Sequence, residues 1–257
     1  MLKQLETAGK LDNTLVVMTG DNGWPFPRCK ANLYDGGTRQ PLAVRWPAKV
    51  KGVRVLDDFI NLSDLAPTFL EAGGLKPRPE MTARSFLGLL TGAEKPGSRD
   101  RVFVERERHA NVRQGDASYP SRAIRTHEFL YIRNLRPNRW PAGDPEVWKA
   151  VGPFGDCDNG PTKEFILAHR TEPVLQPLFK LCFDKRPAEE LYDLIKDPHQ
   201  LSNVAAESGY AAAKKKLRAE LDRWMKETDD PRAISDDDRW DQYPYFGLPE
   251  KIPASTK

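Results

Sequence analysis

The run Leu15-Val16-Val17-Met18 is apolar at every position and sits between Asp12-Asn13-Thr14 and Thr19-Gly20. Unbroken apolar character with β-branched residues predicts a short strand buried on both faces, as in a parallel sheet covered by helices. Ahead of it, Leu2, Leu5 and Ala8 recur at helical spacing and Gly9 offers a stop, so the chain opens on what reads as the end of an amphipathic helix. A chain that starts inside a helix raises the expectation of preceding sequence. Residues 41–47 (PLAVRWP) and 57–62 (DDFINL) predict two more strands, and 101–105 a further one. Between them, residues 63–74 predict a helix capped by Ser63 or Asp64, with Pro67 in its early part and Gly73-Gly74 at its end. Strands alternating with helices predict an α/β domain.

The pattern changes after about residue 120. Residues 119–135 predict two strands in a hairpin, with Arg125-Thr126-His127-Glu128 at the turn. From 137 to 187 prolines recur without periodicity, which predicts a long irregular excursion around one short helix near 165–169. A strand and a Pro-containing turn follow in 189–205. Residues 210–228 then predict a helix whose apolar stripe is Tyr210, Ala213, Leu217, Leu221 and Trp224. On its other face Lys216–Glu220 and Arg218–Asp222 stand four apart, as pairs on a solvated surface do. The expected organisation is an α/β portion over 1–120, a small α+β subdomain with an antiparallel sheet and terminal helix over 121–227, and a loosely packed acidic tail over 228–257.

Charge narrows the partners. Among 257 residues, 40 Lys and Arg stand against 37 Asp and Glu, a balance that gives no reason to expect nucleic acid or an anionic membrane. No apolar stretch approaches the length of a membrane-spanning helix. Cys29, Cys157 and Cys182 lie far apart, form no metal-type pair, and their odd number leaves at least one thiol unpaired within the chain.

In open α/β sheets the ligand crevice lies beyond the carboxyl ends of the strands, where Asp21 and Asn22 fall, flanked by Gly20 and Gly23. A carboxylate and an amide carbonyl are hard oxygen donors suited to Ca²⁺ or Mg²⁺. Calcium, however, takes about six to eight oxygens, and Asp-Asn-Gly is also a favoured turn. Lys30 follows in a Pro- and Gly-containing loop, where a compact cation could hold a tetrahedral anion.

The strings LDNTLVVMTGDNG (11–23), KANLYDGGTRQPLAVRWP (30–47), LSDLAPTFLEAGG (62–74) and ELYDLIKDPHQLSNVA (190–205) together resemble the sulfatase family of the alkaline-phosphatase-like superfamily. The order and spacing are family-like, and DNGWPFP with NLY, and YPSRAIRT (119–126), are most similar to the heparan N-sulfatase (sulfamidase) branch. The resemblance spans about residues 1–226 and covers the second half of a full-length sulfatase. It implies a partial alkaline-phosphatase-like mixed sheet flanked by helices. It also implies that Asp21 and Asn22 are two ligands of one active-site Ca²⁺ and that Lys30 contacts the sulfate, at a position where the sulfamidase branch tends to have Arg. Gly36, Gly37, Thr38 and Arg39 correspond to the turn that shapes the site wall.

The implied reaction is hydrolysis of a sulfate ester or N-sulfate on a saccharide such as a glycosaminoglycan. The alternatives are a phosphodiesterase or phosphonate hydrolase of the same superfamily, or a non-catalytic module that binds sulfated sugar. Sulfatases use an N-terminal Cys/Ser-X-Pro-X-Arg motif whose first residue becomes formylglycine, with two aspartates completing the calcium site. None of the three cysteines begins such a motif. The motif is expected to lie outside this chain, and the chain alone to be inactive and poorly soluble. Export to the periplasm or cell exterior is typical of the family, although no leader is visible at Met1. His109, after the strand RVFVE, could reach a substrate or serve the structure; His127, His169 and His199 are given no role. Trp140 and Trp148 could form a sugar-facing rim or pack internally.

Overall fold

The computed structural model describes residues 1–146 and 152–244. Helix α1 (Leu2–Thr7) stops near Gly9, whose positive φ of 64° suits a residue without a side chain. Strand β1 (Val16–Thr19) follows, then the one-turn helix α2 (Asp35–Thr38) and strand β2 (Leu42–Arg45). β1 and β2 form an antiparallel two-stranded ribbon, with Val16 opposite Arg45 and Thr19 opposite Leu42. The expectation of a strand buried on both faces is therefore corrected. β1 has one hydrogen-bonded neighbour among the described residues, and the Met18 side chain is 68% exposed.

Residues 57–61 form no strand. The Asp58 carboxylate accepts the backbone N–H groups of Gly97 and Arg99, and Phe59 N–H donates to the Arg99 carbonyl, so side-chain bonds replace a ladder. A 3₁₀ turn (Leu62–Asp64) leads into α3 (Leu65–Ala72). Asn61 caps the 3₁₀ turn, accepting from Ser63 N–H while the Asp64 carboxylate accepts from Asn61 N–H; Asp64, one of the two residues expected to cap α3, occupies its cap position without a side-chain cap hydrogen bond. Asp64 is nevertheless essential to the corner, because it also binds the Arg99 guanidinium at 3.0 Å. Helix α4 (Leu87–Thr91) supplies Leu89 and Leu90 to the small core beneath β2.

The second sheet is an antiparallel meander of β3 (Arg101–Arg106), β4 (Ser121–Thr126), β5 (Phe129–Asn134) and β6 (Glu189–Asp193). The hairpin read from the sequence is β4–β5. The expected division near residue 120 falls between β3 and β4, which are hydrogen-bonded along their whole length.

Strand alternation gives this sheet two apolar faces. Phe103, Ile124, Tyr131 and Leu191 stand in one cross-strand row and pack against α7 (Ala211–Glu227) through Leu217, Leu221 and Met225. Ala123, Leu130, Ile132 and Tyr192 occupy the opposite face, where Leu33 and Tyr34 cover them. That contact positions the candidate site, since Leu33 and Tyr34 end the loop that carries Lys30.

Three further expectations change. Glu220 and Asp222 on α7 reach across to the sheet instead of pairing with Lys216 and Arg218: Glu220 binds Arg101, and Asp222 binds Arg133. Among its described residues the Pro-rich excursion holds two helices, α5 (Pro161–Ala168) and α6 (Gln176–Phe183), each with proline in its first turn, where its missing N–H costs little. The start of the expected loose tail is ordered: Asp230 pairs with the buried Arg122, and Arg232 with Glu107. Residues 245–257 lie outside the described residues.

Candidate functional site

Just past β1 the chain bends at Asp21-Asn22 and folds back on itself through backbone-to-backbone contact. A Cβ on Gly23 would lie 2.5 Å from the Gly36 carbonyl oxygen and the Gly37 Cα, and one on Gly37 would lie 2.2 Å from the Asn32 carbonyl oxygen. No side chain fits at either position, so the glycines of DNG and DGG are required by this crossing. Within the loop, Lys30 N–H donates to the Trp24 carbonyl (3.0 Å) and Asn32 N–H to the Cys29 carbonyl (3.0 Å).

Three anchors hold the loop, the first to α6 and the other two to the second sheet. The Arg28 guanidinium lies 3.7 Å over the Tyr34 ring and donates to the Leu181 carbonyl at 3.2 Å. The Tyr34 hydroxyl donates to the buried Glu190 carboxylate at 2.7 Å. Asp35 accepts a two-pronged hydrogen bond from Arg125 on β4, at 2.9 and 3.0 Å.

Asp21 and Asn22 line a cleft of about 1940 Å³ together with Thr19, Asp35, Thr38 and Arg39. Both are exposed, so their oxygens face solvent rather than the core. Their donor chemistry suits a hard divalent cation, but they supply only a fraction of the six to eight oxygens that calcium takes. Among the described residues, no group of three or more His, Cys, Asp or Glu side chains is arranged to hold a metal ion.

Lys30 and His109 stand apart from the residues that line this cleft. The Lys30 ammonium pairs with Asp158 at 3.2 Å, and His109 Nδ1 lies 2.9 Å from Asp156 Oδ1. The turn Asp156-Cys157-Asp158 thus holds both of them. Asp156 itself is 1% exposed and also binds Arg106 and Arg113. Burial alone would raise its pKa, but the two guanidiniums and His109 outweigh burial and hold the carboxyl well below the usual range. Sequence reasoning missed Asp156 and Asp158 because the irregular stretch around them carries no period that would predict their neighbours.

The structure also separates readings left open by the sequence. Trp140 packs edge-on against Phe154 at 5.9 Å, with the Lys185 ammonium 5.1 Å from its ring, which is a packing role; Trp148 lies outside the described residues. Ser118-Tyr119-Pro120-Ser121-Arg122 has the spacing of the serine form of the nucleophile motif. Ser118 is fully buried, its Oγ accepts from Arg139 at 3.2 Å, and it is absent from the cleft lining, while Arg122 is held by Asp230 and Glu107. In this fold the string closes the start of β4.

Residues 20–144 match the family model described as N-sulphoglucosamine sulphohydrolase, C-terminal. The chain is 34% identical over 239 residues to an ulvan-active sulfatase of Formosa agariphila, covering 92% of this chain and 36% of that protein. It is 31% identical over 251 residues to the N-sulphoglucosamine sulphohydrolase of Homo sapiens, covering 92% of this chain and 46% of that protein. The chain therefore spans less than half the length of either relative. Its fold matches a solved structure in complex with its substrate D-glucosamine-2-N,6-O-disulfate, with a TM-score of 0.59, 20% identity, and coverage of 89% of this chain and 37% of the other. The matched residues contain the DNG bend, the Lys30 loop and the β3–β5 strands described above, and the chain belongs to the sulfatases, of which it carries the C-terminal region.

Proposed function

We propose that the protein carrying this chain hydrolyses a sulfate ester or N-sulfate on a sulfated saccharide, with glycosaminoglycan-like sugars as the substrate class. Asp21 and Asn22 supply two oxygens to a single bound Ca²⁺, and Lys30 meets the sulfate. The single observation that carries this reading is the glycine crossing at Gly23 and Gly37. It fixes the Asp21-Asn22 bend at the cleft, at the end of a strand and on the loop that bears Lys30. The relatives named for N-sulphoglucosamine and ulvan support a sulfated-sugar substrate.

When bound, the divalent cation supplies positive charge that offsets the sulfate oxygens. The chain's own residues do the rest of what is proposed for it. Lys30 and Asp158 form a partly exposed pair, the kind worth roughly 0–1 kcal/mol, so an incoming sulfate oxygen can take the place of the carboxylate at small cost. The ammonium then donates to the oxygen on which charge develops as the S–O or S–N bond breaks. The nucleophile, by family likeness a hydrated formylglycine, is supplied from outside these 257 residues, and the chain alone does not turn over substrate.

Sulfate release from sulfated saccharides and an aryl sulfate tests the reading. The protein that carries this segment should turn over, and Lys30→Ala should lower kcat by roughly 100-fold or more, as loss of a charge-stabilising donor does. Purified 257-residue chain should give no release. Full activity in Lys30→Ala, or robust activity from the chain alone, contradicts the proposal.

A further inference from the structure

Cys29, Cys157 and Cys182 are remote in sequence, and all three are free thiols in the fold. They nevertheless converge where three segments meet. Arg28 donates to the Leu181 carbonyl at 3.2 Å, which brings the residue before Cys29 to the residue before Cys182. Lys30 pairs with Asp158, which brings the residue after Cys29 to the residue after Cys157. Cys157 and Cys182 go further, because both belong to one apolar cluster with Phe154, Ile166, Phe179 and Phe183.

Among the described residues, that cluster is the core of the excursion. Helices α5 and α6 pack on each other around it, and it is separate from the clusters on the two faces of the second sheet. A core this small leaves the excursion short of buried apolar area, the situation in which small units gain most from a covalent staple.

We propose that Cys157 and Cys182 are an oxidisable pair, forming a disulfide that closes the 24 residues between them (158–181) and locks α5 and α6 onto the 154–158 turn that holds Lys30 and His109. The oxidant is a low-molecular-weight disulfide. Cys182 is half-buried and Cys157 buried, so Cys182 attacks first. Its sulfur bonds to one sulfur of the reagent, the reagent's S–S bond breaks, and one reagent thiol leaves. The Cys157 sulfur then bonds to Cys182 and displaces the second reagent thiol. The two protein thiols give up two electrons and two protons, and the reagent ends as two thiols.

Burial pushes the Cys157 thiol up to about 12, with the nearby Cys182 and Cys29 sulfurs adding to the effect, and burial raises Cys182 as well. The reaction is accordingly slow at neutral pH and accelerates as the pH rises. This is the behaviour of a structural bridge rather than of a rapid sensor.

The test is to incubate the full 257-residue chain with oxidised glutathione, alkylate it under denaturing conditions, and map its peptides without reduction. The proposal expects free thiols to fall from three to one per chain, with Cys157 linked to Cys182 and Cys29 alkylated. Cys29→Ser should keep the link and Cys182→Ser should abolish it. The linked form should melt higher by about 5–10 °C and lose that increment on reduction. Three thiols remaining, glutathione retained on Cys182, or a link that uses Cys29 or a second chain would each overturn the pairing. An unchanged melting temperature in the linked form would overturn the staple.

Discussion

At the scale of single residues, Asp156 shows how much of this site is held by groups far apart in sequence. Its carboxylate meets Arg106, Arg113 and His109, and the first two are buried with it. Replacing it by alanine strands two guanidiniums in the interior without a counter-charge, so Asp156→Ala should lose about 3–5 kcal/mol in denaturant unfolding at pH 7. The acid limb carries the same information. A carboxyl held below its unfolded value contributes stability that is complete above about pH 4 and fades as the pH falls through the lower folded value. The variant should lack that acid-dependent component, and an identical pH profile in both proteins would rule out the role. None of this was legible beforehand, because the sequence shows His109 and Asp156 as unrelated positions in stretches without a period. Asp21, Asn22 and Lys30 could be singled out as candidates because they cluster within ten residues of a segment punctuated by glycines.

Elements were read well where one face is buried and the other wet. The stripe on α7 was visible as Leu217 and Leu221 at helical spacing, and both are buried against the sheet. What lies opposite a face is invisible to periodicity, so Arg101 and Arg133 were missed as partners of Glu220 and Asp222. Leu221 packs with Ile124, Tyr131 and Leu191 at the centre of that contact, and Leu221→Ala should cost about 2–5 kcal/mol by thermal or denaturant unfolding. A loss under 1 kcal/mol would show that α7 does not anchor the sheet. The hairpin β4–β5 was legible from two apolar runs around a polar turn. The orientation of β1 was not, since an apolar run fixes neither its neighbour nor its direction. Residues 57–61 were misread because their apolar content serves the core beside α3 and α4 while the Asp58 carboxylate takes the backbone bonds.

On the scale of the whole molecule, the loop that bears Lys30 rises from the β1–β2 ribbon and ends in the core of the second sheet at Leu33 and Tyr34. The cleft that Asp21 and Asn22 line extends from the end of β1 to side chains of the second sheet, including Phe103 and Arg122, and to Trp224 on α7. The general architecture was legible from the order of short strands and helices and from the family-like strings. The relation of the two sheets was not, because it rests on long-range contacts such as Arg125–Asp35 and Tyr34–Glu190.

The claim on which the functional account rests is that Asp21 and Asn22 ligate a divalent cation. Calcium affinity of the protein carrying this segment, measured by chelator competition in wild type and in Asp21→Ala, tests it most directly. The account predicts a loss of roughly 100-fold or more with unchanged folding, since removing a direct ligand should exceed the 10–100-fold cost typical of its supporting contacts. Equal affinity in the two proteins would contradict it.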